Sequence, residues 1–137
     1  MGYITTTYPG KIEFPTATEG PFESIIYGAP MSAAITYDTS KVPLTGLYEY
    51  LTNKGTDGNI ELAISNIGFE AASDNSDSMG WPIIQFDQGQ FSGISYSCNY
   101  TIQSVDYLFS VNGLYWEITN AETEQVMASG TISTQFS

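Results

Sequence analysis

Histidine and arginine are missing from this chain, and cysteine is all but missing. Without histidine there is no Ser-His-Asp or Cys-His arrangement, no imidazole metal ligand, and no use of the commonest general base. Cys98 is the only thiol, so an intrachain disulfide and a thiolate zinc cluster are both excluded. A lone Cys at an alternating strand position is expected to be buried and inert. Cations are scarce as well. Lys11, Lys41 and Lys54 face 15 Asp and Glu, for a formal net charge of −12. Nucleic acid is therefore not an expected partner, because phosphate binding needs cationic side chains to displace counterions. The same deficit argues against an anionic membrane surface. No apolar run approaches the roughly 18–20 residues of a membrane span, and the opening Met-Gly-Tyr-Ile-Thr-Thr-Thr has no signal-peptide core. Few cations with abundant Ser, Thr, Asn, Gly and Tyr match an exported surface. The expectation is an extracellular or cell-surface protein from which a leader was removed; a cytosolic one is the alternative.

What the chain does have is β-strand signal, and almost no helical periodicity. The strongest stretch is Val105–Thr119, two alternating runs about Asn112-Gly113. Asn-Gly predicts a two-residue type I′ turn, which needs positive φ at both central positions. That register pairs Val111 with Leu114, Phe109 with Trp116 and Tyr107 with Ile118, all on one face. The opposite face, with Asp106, Leu108, Ser110, Tyr115, Glu117 and Thr119, is mostly polar. Upstream, residues 3–8 read as a strand ended by Pro9-Gly10, residues 11–21 as a short strand at best and then a loop, and Phe22–Tyr27 as a further strand. Met31–Asp38 alternates, with Met31, Ala33, Ile35 and Tyr37 on one face, and Asp38 and Ser40 suit a side-chain-capped connection. Gly46–Leu51 reads as a strand, and Ile60, Leu62 and Ile64 alternate cleanly. Past Asn66 the apolar phase switches to Ile67 and Phe69, as a bulge would make it. Residues 71–80 read as a loop.

From residue 82 onward the pattern is a continuous antiparallel meander. Ile83–Asp87 and Gln90–Gln103 flank Gln88-Gly89, and a bulge at Gly89 or Gly93 is needed to bring Ile94, Tyr96, Cys98, Tyr100 and Ile102 onto the buried face. Gln125–Ser133 closes the chain. Some eight to ten short strands with turn signals between them predict one all-β domain over residues 1–137. An antiparallel β-sandwich is preferred, because phase switches suit strands that bend at sheet edges; a closed up-and-down barrel is the alternative.

Candidate sites are few. Asp74, Asn75 and Asp77 put oxygen donors within four positions, the chemistry Ca²⁺ requires, though without EF-hand spacing; a solvated loop is the other reading. Asp57 is a weaker candidate of the same kind. Among ten Tyr, seven Phe and two Trp, Trp81, Tyr115, Tyr48 and Tyr50 are placed to stack on sugar rings, against the alternative that aromatics simply fill the core, as Trp116 is expected to do. A carboxylate pair for glycan hydrolysis needs two groups roughly 5–10 Å apart. Glu117, with Glu49 or Glu61, is the available set, and nothing singles out a pair. Asn99-Tyr100-Thr101 matches a glycosylation sequon.

Ala33-Ala34-Ile35-Thr36-Tyr37-Asp38-Thr39-Ser40 followed by Gly46-Leu47-Tyr48 resembles the opening of small β-rich ectodomains of bacterial exosortase-sorted (PEP-CTERM type) proteins. Trp116-Glu117-Ile118-Thr119 and Ala128-Ser129-Gly130-Thr131-Ile132-Ser133 look like their closing strands. The ending Phe136-Ser137 departs from that family, lacking the Pro-Glu-Pro signal, span and basic tail, so the resemblance implies a truncated ectodomain or a soluble relative. It implies export and a matrix or surface role, and carries over no catalytic residues. The expected function is a non-enzymatic module that binds polysaccharide or its own copies, with edge strands such as Gln90–Gln103 supporting strand addition. A carboxylate-based glycan hydrolase is the alternative.

Overall fold

The structure, a computed structural model, describes residues 2–15, 22, 25–52, 57–65, 67–70 and 82–135. Ten strands account for most of them: β1 Tyr3–Pro15, β2 Met31–Asp38, β3 Leu47–Leu51, β4 Asn59–Ile64, β5 Ile67–Glu70, β6 Ile83–Asp87, β7 Gln90–Ile102, β8 Val105–Gly113, β9 Tyr115–Asn120 and β10 Val126–Ile132. The only helical element among the described residues is a single 3₁₀ turn, Thr39–Lys41. All ten strands lie in one antiparallel sheet of order β3-β6-β7-β8-β9-β10-β1-β2-β4-β5, open at β3 and β5. The barrel alternative is thereby set aside.

The long strand β1 is what turns this sheet into a sandwich. Its first half, Tyr3–Pro9, pairs with β2, and its second half, Gly10–Pro15, pairs with β10. The sheet changes direction there and its two halves face each other, as the ring contacts between them show. Tyr8 of β1 stacks on Phe91 of β7 at 4.4 Å. Tyr37 of β2 meets Phe86 of β6 edge-on at 4.8 Å. Phe69 of β5 stacks on Phe109 of β8 at 4.2 Å and meets Tyr100 of β7 at 5.0 Å. Offset and edge-on aromatic pairs of this kind add about 1 kcal/mol each beyond the area they bury. Pro9-Gly10 therefore does not end a strand. It marks the hand-over, where the Pro9 carbonyl accepts from the Ser133 N–H and the reciprocal bond is impossible for want of a proline N–H.

Faces agree with the alternation read above, and several turns do not. Met31, Ala33 and Ile35, then Ile60, Leu62 and Ile64, and then Tyr107, Phe109, Val111, Trp116 and Ile118 are all buried. Cys98 is a buried thiol. The β8–β9 hairpin pairs Val111 with Trp116 and Phe109 with Ile118, two residues away from the expected register. Its loop is Gly113-Leu114, and only Gly113 has positive φ, at 69°. That is the type II′ geometry, with Gly at the first central position. A shift of two preserves strand parity, which is why the faces came out right. The type I′ loops are elsewhere, at Gln88-Gly89 (φ 53° and 80°) and Gln103-Ser104 (φ 53° and 67°).

The phase switch after Ile64 is a reversal rather than a bulge. Ile64 pairs directly with Ile67 and Leu62 with Phe69. Across a two-residue loop, residues three apart become cross-strand neighbours on one face, so the apolar positions change from even to odd. A bulge does occur between β6 and β7, beside Gly93, where Phe86 pairs with Phe91 but Gln85 pairs with Gly93 and Ile84 with Ile94. Phe22–Tyr27 supplies no strand among its described residues. The Ile25 N–H donates to the Phe22 carbonyl, and both side chains are buried. Phe22 packs edge-on against Tyr107 at 4.7 Å, so Phe22 and Ile25 add to the core.

Two tests follow. A Cβ at Gly130 would sit 2.7 Å from the Trp116 ring and in collision with the Lys11 carbonyl oxygen, so Gly130→Ala is expected to destabilise the fold by about 3 kcal/mol in urea titration. Replacing Gln103 and Ser104, both left-handed, by Asn-Gly should stabilise it by about 1 kcal/mol in the same assay.

Candidate functional site

Strand β3 lies at one open edge of the sheet, paired on one side with β6 in the register Leu47–Asp87, Glu49–Gln85, Leu51–Ile83. Its burial alternates: Leu47, Glu49 and Leu51 are exposed, Tyr48 is half-buried and Tyr50 is buried. The outer surface of β3, β6 and the bulge in β7 bounds a shallow groove of about 650 Å³, lined by Leu47, Tyr48, Glu49, Gln85, Phe86 and Ser92. Leu44 and Leu47 are each 82% exposed, and Leu51 is 46% exposed. Polar acceptors and donors thus alternate with bare leucine along one margin of the protein. No lysine is among the groove residues, so its chemistry suits a neutral rather than an anionic ligand.

The aromatic candidates divide. Tyr48 and Tyr50 do not lie on the polar face. Tyr50 is 1% exposed and edge-on to Tyr37 at 6.0 Å, while Tyr48 packs against the core. In Leu-Tyr-Glu-Tyr-Leu both faces read as apolar, and burying the two rings leaves the Glu49 carboxylate in water, which decides the orientation. Tyr115 is 43% exposed, and its hydroxyl donates to Glu117 at 3.3 Å. Its ring is the most exposed of the described candidates, while Tyr48 is half-buried along the groove. Trp81 and the cation candidates Asp74, Asn75 and Asp77 lie outside the described residues.

The carboxylates considered for hydrolysis are not brought together. Glu117 on β9 and Glu49 on β3 are separated by β6, β7 and β8, on the order of 19 Å along the sheet at the usual strand spacing. Glu61 lies on β4, in the other half. Glu117 instead accepts from Tyr115 and from the Thr119 hydroxyl at 3.1 Å.

Asp57 has a cation, and it is a side chain. The Lys41 ammonium donates to Oδ2 at 2.6 Å, and the Tyr3 hydroxyl donates to Oδ1 at 2.6 Å. Tyr50 adds a longer hydrogen bond at 3.4 Å while its hydroxyl accepts from the Asp38 N–H at 2.9 Å. Asp38 accepts from both the N–H and the hydroxyl of Ser40, the side-chain cap expected there. This cluster ties the start of β1 and the 3₁₀ turn to edge strand β3. The Lys41 hydrogen bond, then that of Tyr3, holds the Asp57 carboxyl below its ordinary range, and the Asp57 hydrogen bond raises Lys41. Sequence gave Asp57 only as a cation ligand; that the cation would be Lys41, 16 positions away, depends on the chain path.

Both shifts favour the charged pair in the folded state. The depressed Asp57 carboxyl stabilises the fold above its unfolded value, near pH 3.9, and that contribution is lost as pH falls through the lower folded value. The raised Lys41 stabilises below its unfolded value and loses its effect as pH rises through the higher folded one. Asp57→Asn is therefore expected to lower Tm at pH 7, with the deficit shrinking as pH falls below the ordinary carboxylate range, as read by thermal unfolding across pH.

No family model matches this chain, and neither the curated proteins nor the solved structures contain a match to it.

Proposed function

We propose that this chain is a non-enzymatic binding and matrix module that works outside the cell, making its contacts through the outer surface of β3, β6 and β7. The groove there carries the reading. It sets the exposed apolar surface of Leu47 beside Glu49, Gln85 and Ser92, a combination that packs on the apolar face of a ring while hydrogen-bonding its hydroxyls. Neutral polysaccharide is the ligand class, in keeping with a chain of net charge −12. The extracellular setting rests on the cation-poor, hydroxyl- and amide-rich composition and on the resemblance to exported ectodomains. Ca²⁺ on Asp74, Asn75 and Asp77 would be an accessory of the same module.

Affinity electrophoresis through gels containing soluble neutral polysaccharides, run with Ca²⁺ and with chelator, tests this. The native chain should be retarded in at least one of them, and Gln85→Ala, which removes the amide beside Glu49, should weaken retardation by about fivefold, equivalent to one hydrogen bond of roughly 1 kcal/mol. Retardation by none of the polysaccharides, or retardation untouched by Gln85→Ala, would reject the assignment.

A further inference from the structure

The edge strand β3 reads Leu47-Tyr48-Glu49-Tyr50-Leu51, the same in both directions. Such a strand is self-complementary: laid antiparallel on its own copy about an axis at Glu49, it pairs Leu47 with Leu51, Tyr48 with Tyr50, and Glu49 with Glu49. The backbone is oriented for that axis. The Gln88 N–H donates to the Gly46 carbonyl, and the Thr52 N–H donates to the Pro82 carbonyl. Gly46 and Thr52 thus turn their hydrogen-bonding groups towards β6, and because these groups alternate along an antiparallel strand, so do Tyr48 and Tyr50. The N–H and carbonyl groups of Leu47, Glu49 and Leu51 point the other way, and among the described residues no strand takes them up. The strand carries neither Lys nor Pro, the residues that usually protect an exposed edge.

We infer that two copies of this chain associate about a two-fold axis at Glu49, joining β3 to β3 so that two sheets become one. Every outward-facing backbone group of Leu47, Glu49 and Leu51 then has a partner, and the exposed leucines meet in two cross-strand pairs on either side of the axis. An isologous contact of this kind closes on itself and gives a dimer rather than a fibre. The opposing Glu49 carboxylates weaken it, since like charges directly opposite are unfavourable; Glu49 otherwise faces Gln85 on β6, with Asp87 diagonal to it beside Leu47. The inference deepens the assembly side of the reading above and rests on the same surface.

Sedimentation equilibrium of the full chain and its variants tests it. Glu49→Gln should tighten the dimer by roughly three- to fivefold, whereas Glu61→Gln, an exposed carboxylate on β4, should change it much less. Leu51→Lys should abolish it while leaving the unfolding midpoint of the monomer near that of the parent. The axis itself is read by Glu49→Cys: hydrogen-bonded antiparallel positions lie about 5.5 Å apart between Cα atoms, within disulfide range, so mild oxidation should yield a covalent dimer, and Leu44→Cys, off the axis, should not. A Glu49→Gln chain that stays monomeric, or a dimer indifferent to Leu51→Lys, would overturn the inference. Polysaccharide retardation lost in Gln85→Ala while Glu49→Gln stays monomeric would leave the binding module standing and remove the pairing; a dimer without any retardation would do the reverse.

Discussion

The division of one strand between two hydrogen-bonded ladders governs the rest of the molecule. A strand offers two edges along its whole length, and β1 uses one with β2 over Tyr3–Pro9 and the other with β10 over Gly10–Pro15. Neither half of the sheet can then continue flat past the other. The right-handed twist of strands swings them apart in direction, and the apolar faces close on each other to form a sandwich. Tyr8 and Ile12, inward-facing on either side of the hand-over, are both buried, so β1 serves both layers of the core as well as both ladders.

The aromatic richness of the chain finds its main use in that closure. Rings from β1, β2 and β5 meet rings from β3, β6, β7 and β8, so the two layers are joined largely by Tyr and Phe. Trp116 is fully buried, against the backbone of Gly130 on the neighbouring strand, and among the described residues its indole Nε1 has no hydrogen-bond partner. An unpaired buried donor costs about 1–3 kcal/mol, a cost set against the large apolar area the ring removes from water. The cation-poor surface leaves the Lys41–Asp57 pair as the ion pair among the described residues. Together with the Tyr3 hydrogen bond to the same carboxylate, it ties the first strand to the edge where the groove lies.

Which side chains face inward was legible in the sequence, because strand alternation has a period of two and the β2, β4, β7 and β8 runs obey it. Turns were less so. A hairpin shifted by two residues, as at Gly113-Leu114, buries the same side chains as the one expected at Asn112-Gly113. A phase switch, as after Ile64, has the same appearance whether the chain bulges or reverses. Pro9-Gly10 carries a stop signal in local terms, yet the strand passes through, since a proline is tolerated where one ladder gives way to another. The site was harder still. Edge status is a property of topology: the terminal strands of the sheet are β3 and β5, whereas Gln90–Ser95 of the expected edge pairs with β6 and Ile94–Ile102 with β8. Tyr48 and Tyr50 went to the wrong face for the same reason, because only the neighbours of an edge strand tell its two sides apart.

Pairing β1 with β10 also sets an order of events. Gly10 meets Ile132 and Ile12 meets Gly130, partners from opposite ends of the described chain, and closing so long a loop is entropically slow. The second half of β1 therefore cannot meet its native partner until β10 has left the ribosome. The consecutive hairpins from β6 to β10 can form as they emerge, but the core they share with β1 is sealed only once synthesis has passed residue 132.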